Sequence, residues 1–186
     1  MALRIIAGDL KGRKLRSVRG TKTRPTANRT REAIFNIIAS QIPGSRVLDL
    51  FAGTGAFGIE ALSRKAAAAV FIDIESDSIA ALRANVKSLG LGQRTNIIRW
   101  DLIKNLNCLN SLNEPFDLVF MDPPYRTNMI EPTLQNLHLS QCLAGNTRVI
   151  VEHSLREPIL TGPQPFEIAD QRRYGKTLVT FLDYMV

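Results

Sequence analysis

Apolar residues in this chain gather into short runs that close on an acid and are followed by amphipathic stretches. Val47, Leu48, Leu50 and Phe51 form the first run around Asp49. A nearly continuous apolar run of this length is what a parallel strand covered on both faces requires. It breaks into Ala52-Gly53-Thr54-Gly55 and turns amphipathic from Ala56 to Arg64, the pattern of strand, tight turn and helix. Ala69-Val-Phe-Ile-Asp-Ile-Glu75 predicts a second buried strand. Ser76-Asp77 predicts the cap of a helix with Ile79, Leu82, Val86 and Leu89 on its apolar face and Gly90 at its end. Residues 96–100 predict a third strand before Asp101, residues 116–121 a fourth before Asp122, and residues 147–152 a fifth. Asp49, Asp73, Asp101 and Asp122 thus fall at or near C-terminal strand ends, the edge on which an open α/β sheet binds its ligand. Residues 166–169 and 177–183 predict two more strands joined across Arg172-Arg173-Tyr174-Gly175, a hairpin closing one edge. The fold class is α/β, with a seven-stranded, mostly parallel sheet and one antiparallel strand.

The N-terminal part has a different pattern. Leu3 to Ala7, then Gly8-Asp9, then a basic-apolar stretch to Val18 predicts a small β-ribbon with its cations outward. With so few apolar positions it reads as an appendage without a core. Residues 20–26 read as a linker, and Ile34, Phe35, Ile37 and Ile38 give the next helix its apolar face, with Thr26 or Asn28 as N-cap. The 186 residues suit one domain, with 1–40 as extension and 45–186 as catalytic core. The expected oligomeric state is a monomer.

Charge sharpens this division. Residues 1–31 hold ten Lys or Arg against one acid, Asp9, so that the rest of the chain nets −2 within a total of +7. A basic arm on a near-neutral body fits a polyanionic partner, and it lacks the aromatic or leucine face of a membrane-surface helix. Arg29 and Arg31 sit near the start of a helix, where the dipole opposes them. A phosphate, a ligand carboxylate or an acid such as Glu32 must therefore recruit them. No 18-residue apolar stretch and no secretory signal pattern is present, which gives a cytoplasmic expectation. Cys108, Cys142, His138 and His153 lack ligand spacing, so no metal site is expected, and Ser154 beside His153 is adjacency alone.

Gly53-x-Gly55-x-x-Gly58 also fits a dinucleotide fingerprint, with Asp73 at the distance of a ribose-binding acid. Asp49 decides against it, because a carboxylate inside the strand end would repel a pyrophosphate. It suits a cation such as S-adenosylmethionine, which carries a sulfonium and an ammonium and no phosphate. Asp122-Pro123-Pro124-Tyr125 supplies the second half of the chemistry. Two prolines remove two N–H donors, leaving a stiff loop of acceptors. The exocyclic amine of a base offers two N–H groups, which the Asp122 carboxylate and the Pro123 carbonyl can accept while Tyr125 stacks on the ring. Hydrogen bonds accepted from an aromatic amine push electron density back onto its nitrogen, so transfer needs mainly positioning and loss of a proton.

Taken together, Arg4-Ile-Ile-Ala-Gly-Asp-Leu-Lys-Gly-Arg13, Thr23-Arg-Pro-Thr26, Arg31-Glu-Ala-Ile-Phe-Asn36, Asp49-Leu-Phe-Ala-Gly-Thr-Gly55, Glu60-Ala-Leu-Ser-Arg64, Asp122-Pro-Pro-Tyr125 and Arg173-Tyr-Gly-Lys-Thr177 span nearly the whole chain. In these blocks the sequence resembles the bacterial small-subunit ribosomal RNA guanine-N2 methyltransferases, the RsmD family, within the class I S-adenosylmethionine-dependent methyltransferases. The resemblance implies a Rossmann-like fold and an enzyme acting on 16S ribosomal RNA in the small ribosomal subunit, with S-adenosylmethionine as cofactor and no metal. It places Asp49, Phe51, Ala52, Gly53, Thr54 and Gly55 around the methionine part, Asp73 and Ile74 at the ribose, and Asp101 near the adenine amine. Asp122, Pro123, Pro124 and Tyr125 would hold the target base. Arg4, Lys11, Arg13, Lys14, Arg24, Arg29, Arg31 and Arg126 would meet RNA. Ser17-Val18 stands where many members have a proline, and Thr30 where an aliphatic residue is common.

Three other readings compete. The acceptor loop serves adenine N6 of DNA or RNA equally well, although no stretch remains for a domain that would read a duplex and flip a base. A nucleotide-dependent oxidoreductase would share the glycine turn but not Asp49 or the loop. A non-catalytic RNA-binding factor would have no use for an intact loop.

Overall fold

The runs that close on acids become the centre of one sheet. The computed structural model describes residues 3–18, 25–112, 114–125, 127–159 and 165–186, and of residues 25–27 the backbone alone. In chain order the elements are α1 (Pro25–Ile37), β1 (Arg46–Leu50), α2 (Ala56–Ser63), β2 (Ala68–Asp73), α3 (Ser76–Ser88), β3 (Thr95–Arg99), β4 (Phe116–Met121), α4 (Ile130–Leu139), β5 (Leu143–Ser154), β6 (Phe166–Tyr174) and β7 (Thr177–Tyr184). The sheet order is β3-β2-β1-β4-β5-β7-β6. β1 to β5 are parallel, while β7 runs antiparallel to both β5 and β6, so it is the one reversed strand. The predicted seven-stranded α/β fold is the observed one.

Alternation along the strands divides the core into two layers. Val47, Phe71, Leu118, Phe120, Ile150 and Phe181 face one side with α1 and α2. Leu48, Leu50, Ile72, Val119, Met121, Val151 and Leu182 face the other with α4. On the first side Phe35 of α1, Phe57 of α2 and Phe120 of β4 form a triangle of rings, with centroids 6.3 Å (Phe35–Phe57), 5.2 Å (Phe57–Phe120) and 5.3 Å (Phe35–Phe120) apart, and this cluster seats α1 on the sheet.

Four local expectations change. Leu3, Ile5 and Leu15 of the N-terminal ribbon are buried in the first layer, so the ribbon is part of the core's cover and not an appendage. Its strands pair briefly, through Ile5 N–H to Arg13 C=O (3.0 Å), Gly12 N–H to Ile5 C=O (2.9 Å) and Leu15 N–H to Leu3 C=O (2.9 Å). Helix α1 begins at Pro25, whose fixed φ suits the first helical position, so neither Thr26 nor Asn28 is its N-cap. Ile37 is exposed, leaving Ile34, Phe35 and Ile38 as the apolar face. Glu75, not Ser76-Asp77, occupies the N-cap of α3, without a side-chain cap, and its N–H is held instead by Asp73 Oδ1 at 2.8 Å. Helix α4 had no counterpart in the sequence reading.

Candidate active site

Three parallel strand ends converge on one edge. Leu50 of β1 pairs with Ile72 of β2 and with Met121 of β4, so Phe51, Asp73 and Asp122 leave neighbouring strands side by side. Phe51 turns the chain in the left-handed region at φ 57°, a conformation that a bulky residue adopts only where the surroundings impose it. Gly55 follows at φ 78° as the N-cap of α2, and a Cβ there would stand 2.4 Å from Leu82 Cδ1. Gly53 differs, since an added Cβ would meet nothing closer than the Phe51 carbonyl at 3.9 Å. One glycine lets α3 pack against the turn; the other leaves backbone open to a ligand.

Two carboxylates shape this turn from behind. Asp73 Oδ2 accepts the Gly53 N–H at 2.8 Å, holding the loop against β2. Asp49 is 2% exposed and its Oδ2 accepts the Gly58 N–H at 2.8 Å. Burial pushes the Asp49 carboxyl up to about 8, the Asp73 charge adds to that, and the Gly58 N–H opposes it. A buried acid in this condition is a place for an incoming cation. Beside Asp73, Ile74 presents an exposed apolar side chain to a groove of about 380 Å3 lined also by Arg99, Trp100, Asp101, Lys104 and Asn105. Asp101 Oδ1 accepts the Ile103 N–H at 3.1 Å, which fixes the carboxylate at the groove. An open glycine backbone, a buried acid and a groove with an apolar wall and an acid match the parts of S-adenosylmethionine, so the residues present fit that cofactor. Arg99, Trp100, Lys104 and Asn105 were missed by sequence reasoning; their place just after β3 was the available signal.

The Asp122 to Tyr125 loop sits next to the turn. Pro123 is buried while Asp122, Pro124 and Tyr125 are exposed. The Thr127 hydroxyl donates to the Pro124 carbonyl at 2.6 Å, and the Tyr125 hydroxyl lies 3.2 Å from Thr177 Oγ1 and donates to Glu152 Oε1 at 3.4 Å. The ring is thereby anchored at its tip.

The arm is clasped by α2 and α3. Glu60, wholly buried, accepts the N–H groups of Ile6 (2.7 Å) and Ala7 (3.0 Å) and pairs with Arg64. Ser63 donates to the Ala7 carbonyl and accepts the Leu10 N–H. Asn85, also buried, accepts the Arg16 N–H at 2.7 Å and donates to both the Arg16 carbonyl and the Thr54 carbonyl. One amide thus touches arm and glycine turn together. Of the residues expected to meet RNA, Arg4, Lys11, Arg13, Lys14 and Arg29 are exposed, whereas Arg24 and Arg126 lie outside the described residues. Arg31 is a correction: it is 3% exposed, its guanidinium donates to the Arg4 carbonyl and to Asn28 Oδ1, and burial holds its pKa below the ordinary value, opposed by Glu60. It ties the arm to α1, where it cannot reach a surface-bound RNA. His153 is packed and satisfied, with Nε2 2.7 Å from Thr180 Oγ1.

Residues 3–183 match the family model described as conserved hypothetical protein 95. The chain is similar to ribosomal RNA small subunit methyltransferase D of Escherichia coli strain K12, 33% identical over 94% of this chain and 86% of that protein. Its structure superposes on that of yhhF from Escherichia coli with a TM-score of 0.85 and 29% identity, covering 100% of this chain and 99% of the other. SMU.776, solved in complex with S-adenosylhomocysteine, shares the fold at a TM-score of 0.67 and 17% identity over 87% of this chain and 50% of that one. On the match of nearly its whole length, the chain belongs to the conserved hypothetical protein 95 family, alongside the ribosomal RNA small subunit methyltransferases D.

Proposed function

We propose that this chain transfers a methyl group from S-adenosylmethionine to the exocyclic N2 amine of a guanine in 16S ribosomal RNA, presented by an assembled or partly assembled small ribosomal subunit. Family membership supports the coarser statement, an S-adenosylmethionine-dependent ribosomal RNA methyltransferase. The observation that carries the finer one is the acceptor loop Asp122 to Tyr125, leaving β4 directly beside the open glycine turn that follows β1.

S-adenosylmethionine, when bound, supplies a methyl group activated by its positive sulfur. Asp49 and the turn from Phe51 to Gly55 would hold its methionine end, Asp73 and Ile74 its ribose, and Asp101 its adenine. The Asp122 carboxylate and the Pro123 carbonyl accept the two N2–H bonds and orient the lone pair toward the turn. Tyr125, anchored by Thr177 and Glu152, stacks on the guanine ring. The Asp122 carboxylate also stands where the amine proton departs. Arg4, Lys11, Arg13, Lys14 and Arg29, with Arg24 and Arg126, would grip phosphates, which position RNA without reading its sequence.

The test is the identity and context of the product. Small subunits purified from a strain lacking this gene are incubated with labelled S-adenosylmethionine and the nucleosides are resolved by mass spectrometry. N2-methylguanosine is expected, formed much faster on subunits than on protein-free RNA. N6-methyladenosine, or faster labelling of naked RNA, overturns the proposal.

A further inference from the structure

The closing hairpin lies on the ligand edge of the sheet, and its cations have no task in the site described above. Strand β6 is antiparallel to β7, which is antiparallel to β5, so β6 runs in the same direction as the parallel strands and delivers its C-terminal end to the edge where Asp73 and Asp122 emerge. The turn from Tyr174 to Thr177 therefore stands beside the base loop. Thr177 Oγ1 touches the Tyr125 hydroxyl at 3.2 Å, and the Lys176 carbonyl accepts the Leu155 N–H at 3.3 Å, which brings the segment after β5 to the same place.

Arg156, Arg173 and Lys176 are exposed here and form no ion pair among the described residues. Arg172 is different: it pairs with Asp170 at 2.7 Å and, one residue from Arg173, leaves the ribbon on the opposite face. The nearby acids are turned elsewhere, Glu152 toward Tyr125 and Glu157 to the Asn128 N–H at 2.9 Å. The turn itself is short and hydrogen-bonded, with Gly175 at φ 63° and the Arg173 Nε–H donating to the Gly175 carbonyl at 3.0 Å. Its charges are held on a rigid support.

Resting on the RNA methyltransferase reading, we infer that Arg156, Arg173 and Lys176 form a second phosphate-gripping surface for the RNA strand that carries the target base. The arm docks on α2 and α3, over the β3-β2-β1 half of the sheet, and the hairpin turn ends the β5-β7-β6 half. The base loop after β4 lies between them. A nucleotide stacked on Tyr125 thus has cations on both sides, and the strand is held on either side of the base.

The test measures KM for small ribosomal subunits as a function of salt. Each lost phosphate contact lowers the slope of log KM against log salt by about 0.7–0.9, so R173Q/K176Q is expected to lower it by about 1.4–1.8. Affinity for S-adenosylhomocysteine and kcat stay at wild-type values. The charge-conserving pair R173K/K176R keeps the slope, and R172Q does not move it. Should R173Q/K176Q fold poorly, Lys176→Gln alone, a side chain without a bond among the described residues, lowers the slope by about 0.7–0.9. An unchanged slope in the tip variants, with R13Q/K14Q flattening it, overturns this inference and leaves the RNA reading standing. Absence of any label in the subunits by the wild-type protein removes both.

Discussion

Burial favours the protonated form of the Asp49 carboxyl in the free protein near neutral pH. Its carboxyl titrates at about 8 in the free protein, so at pH 7 about 0.9 of the molecules hold it neutral. An ammonium placed against it favours the carboxylate, and the bound-state pKa falls. Binding near neutrality must then release up to about 0.9 of a proton, and affinity must rise by up to about tenfold from pH 6 to pH 7 before levelling off above 8. Calorimetric titration with S-adenosylhomocysteine in two buffers of different protonation enthalpy reads the proton count directly. Asp49→Asn keeps an acceptor for the Gly58 N–H but has nothing to titrate, so its binding should be weaker and nearly independent of pH over this range. Equal enthalpies in both buffers for the wild type, or the same proton release in the variant, would refute the assignment of Asp49 to the cation. The free protein gives a second check of sign. The folded pKa lies above the ordinary value of 3.8, so Asp49's contribution to stability is complete below that value and is lost as pH rises to about 8. Asn at this position should flatten that part of the stability profile.

Asp122→Ala should leave S-adenosylhomocysteine affinity unchanged in calorimetry while methyl transfer collapses; full activity would make the loop a scaffold only. Glu60→Gln sets an amide donor among the Ile6 and Ala7 N–H groups and Arg64, and should lower stability in urea by about 3 kcal/mol while exposing residues 3–18 to protease. Gly55→Ala forces a side chain at φ 78° into Leu82, which should lower stability by about 2–4 kcal/mol and abolish cofactor binding; a wild-type melting curve would contradict that packing.

What was legible in the sequence was local. The strands of the sheet centre announce themselves because burial on both faces demands unbroken apolar runs, and the acids that end them mark the ligand edge. The left-handed turn was legible through its glycines. The arm's docking was not, because three apolar positions, Leu3, Ile5 and Leu15, look too few for a core when their cover lies elsewhere in the chain. Arg31 misled for the same reason: a cation near a helix start reads as surface, and the carbonyl it holds belongs to Arg4, 27 residues away. The signals were present but faint. Glu60 among Ile59, Ala61 and Leu62, and Asn85 beside Val86, are polar residues set into apolar stripes, and such residues need a partner that no local pattern names. Helix α4 hid behind Pro132 and an N-cap without a side-chain hydrogen bond, although Ile130, Leu134 and Leu137 keep helical spacing.

The clasp on the arm also orders events during synthesis. Residues 3–18 leave the ribosome before the side chains that fix them, Glu60, Ser63 and Asn85, which follow 53 to 69 residues later. Until α2 has emerged, Ile6, Ala7 and Leu10 have no polar anchor, and Arg16 has none until α3 follows, so the cations among them ride on an unanchored segment. Arg13 and Lys14 take up their final positions only after α2 and α3 have begun to form. The arm is thus fixed later than it is made, and a nascent chain stalled before Glu60 carries the charge of the arm without its shape.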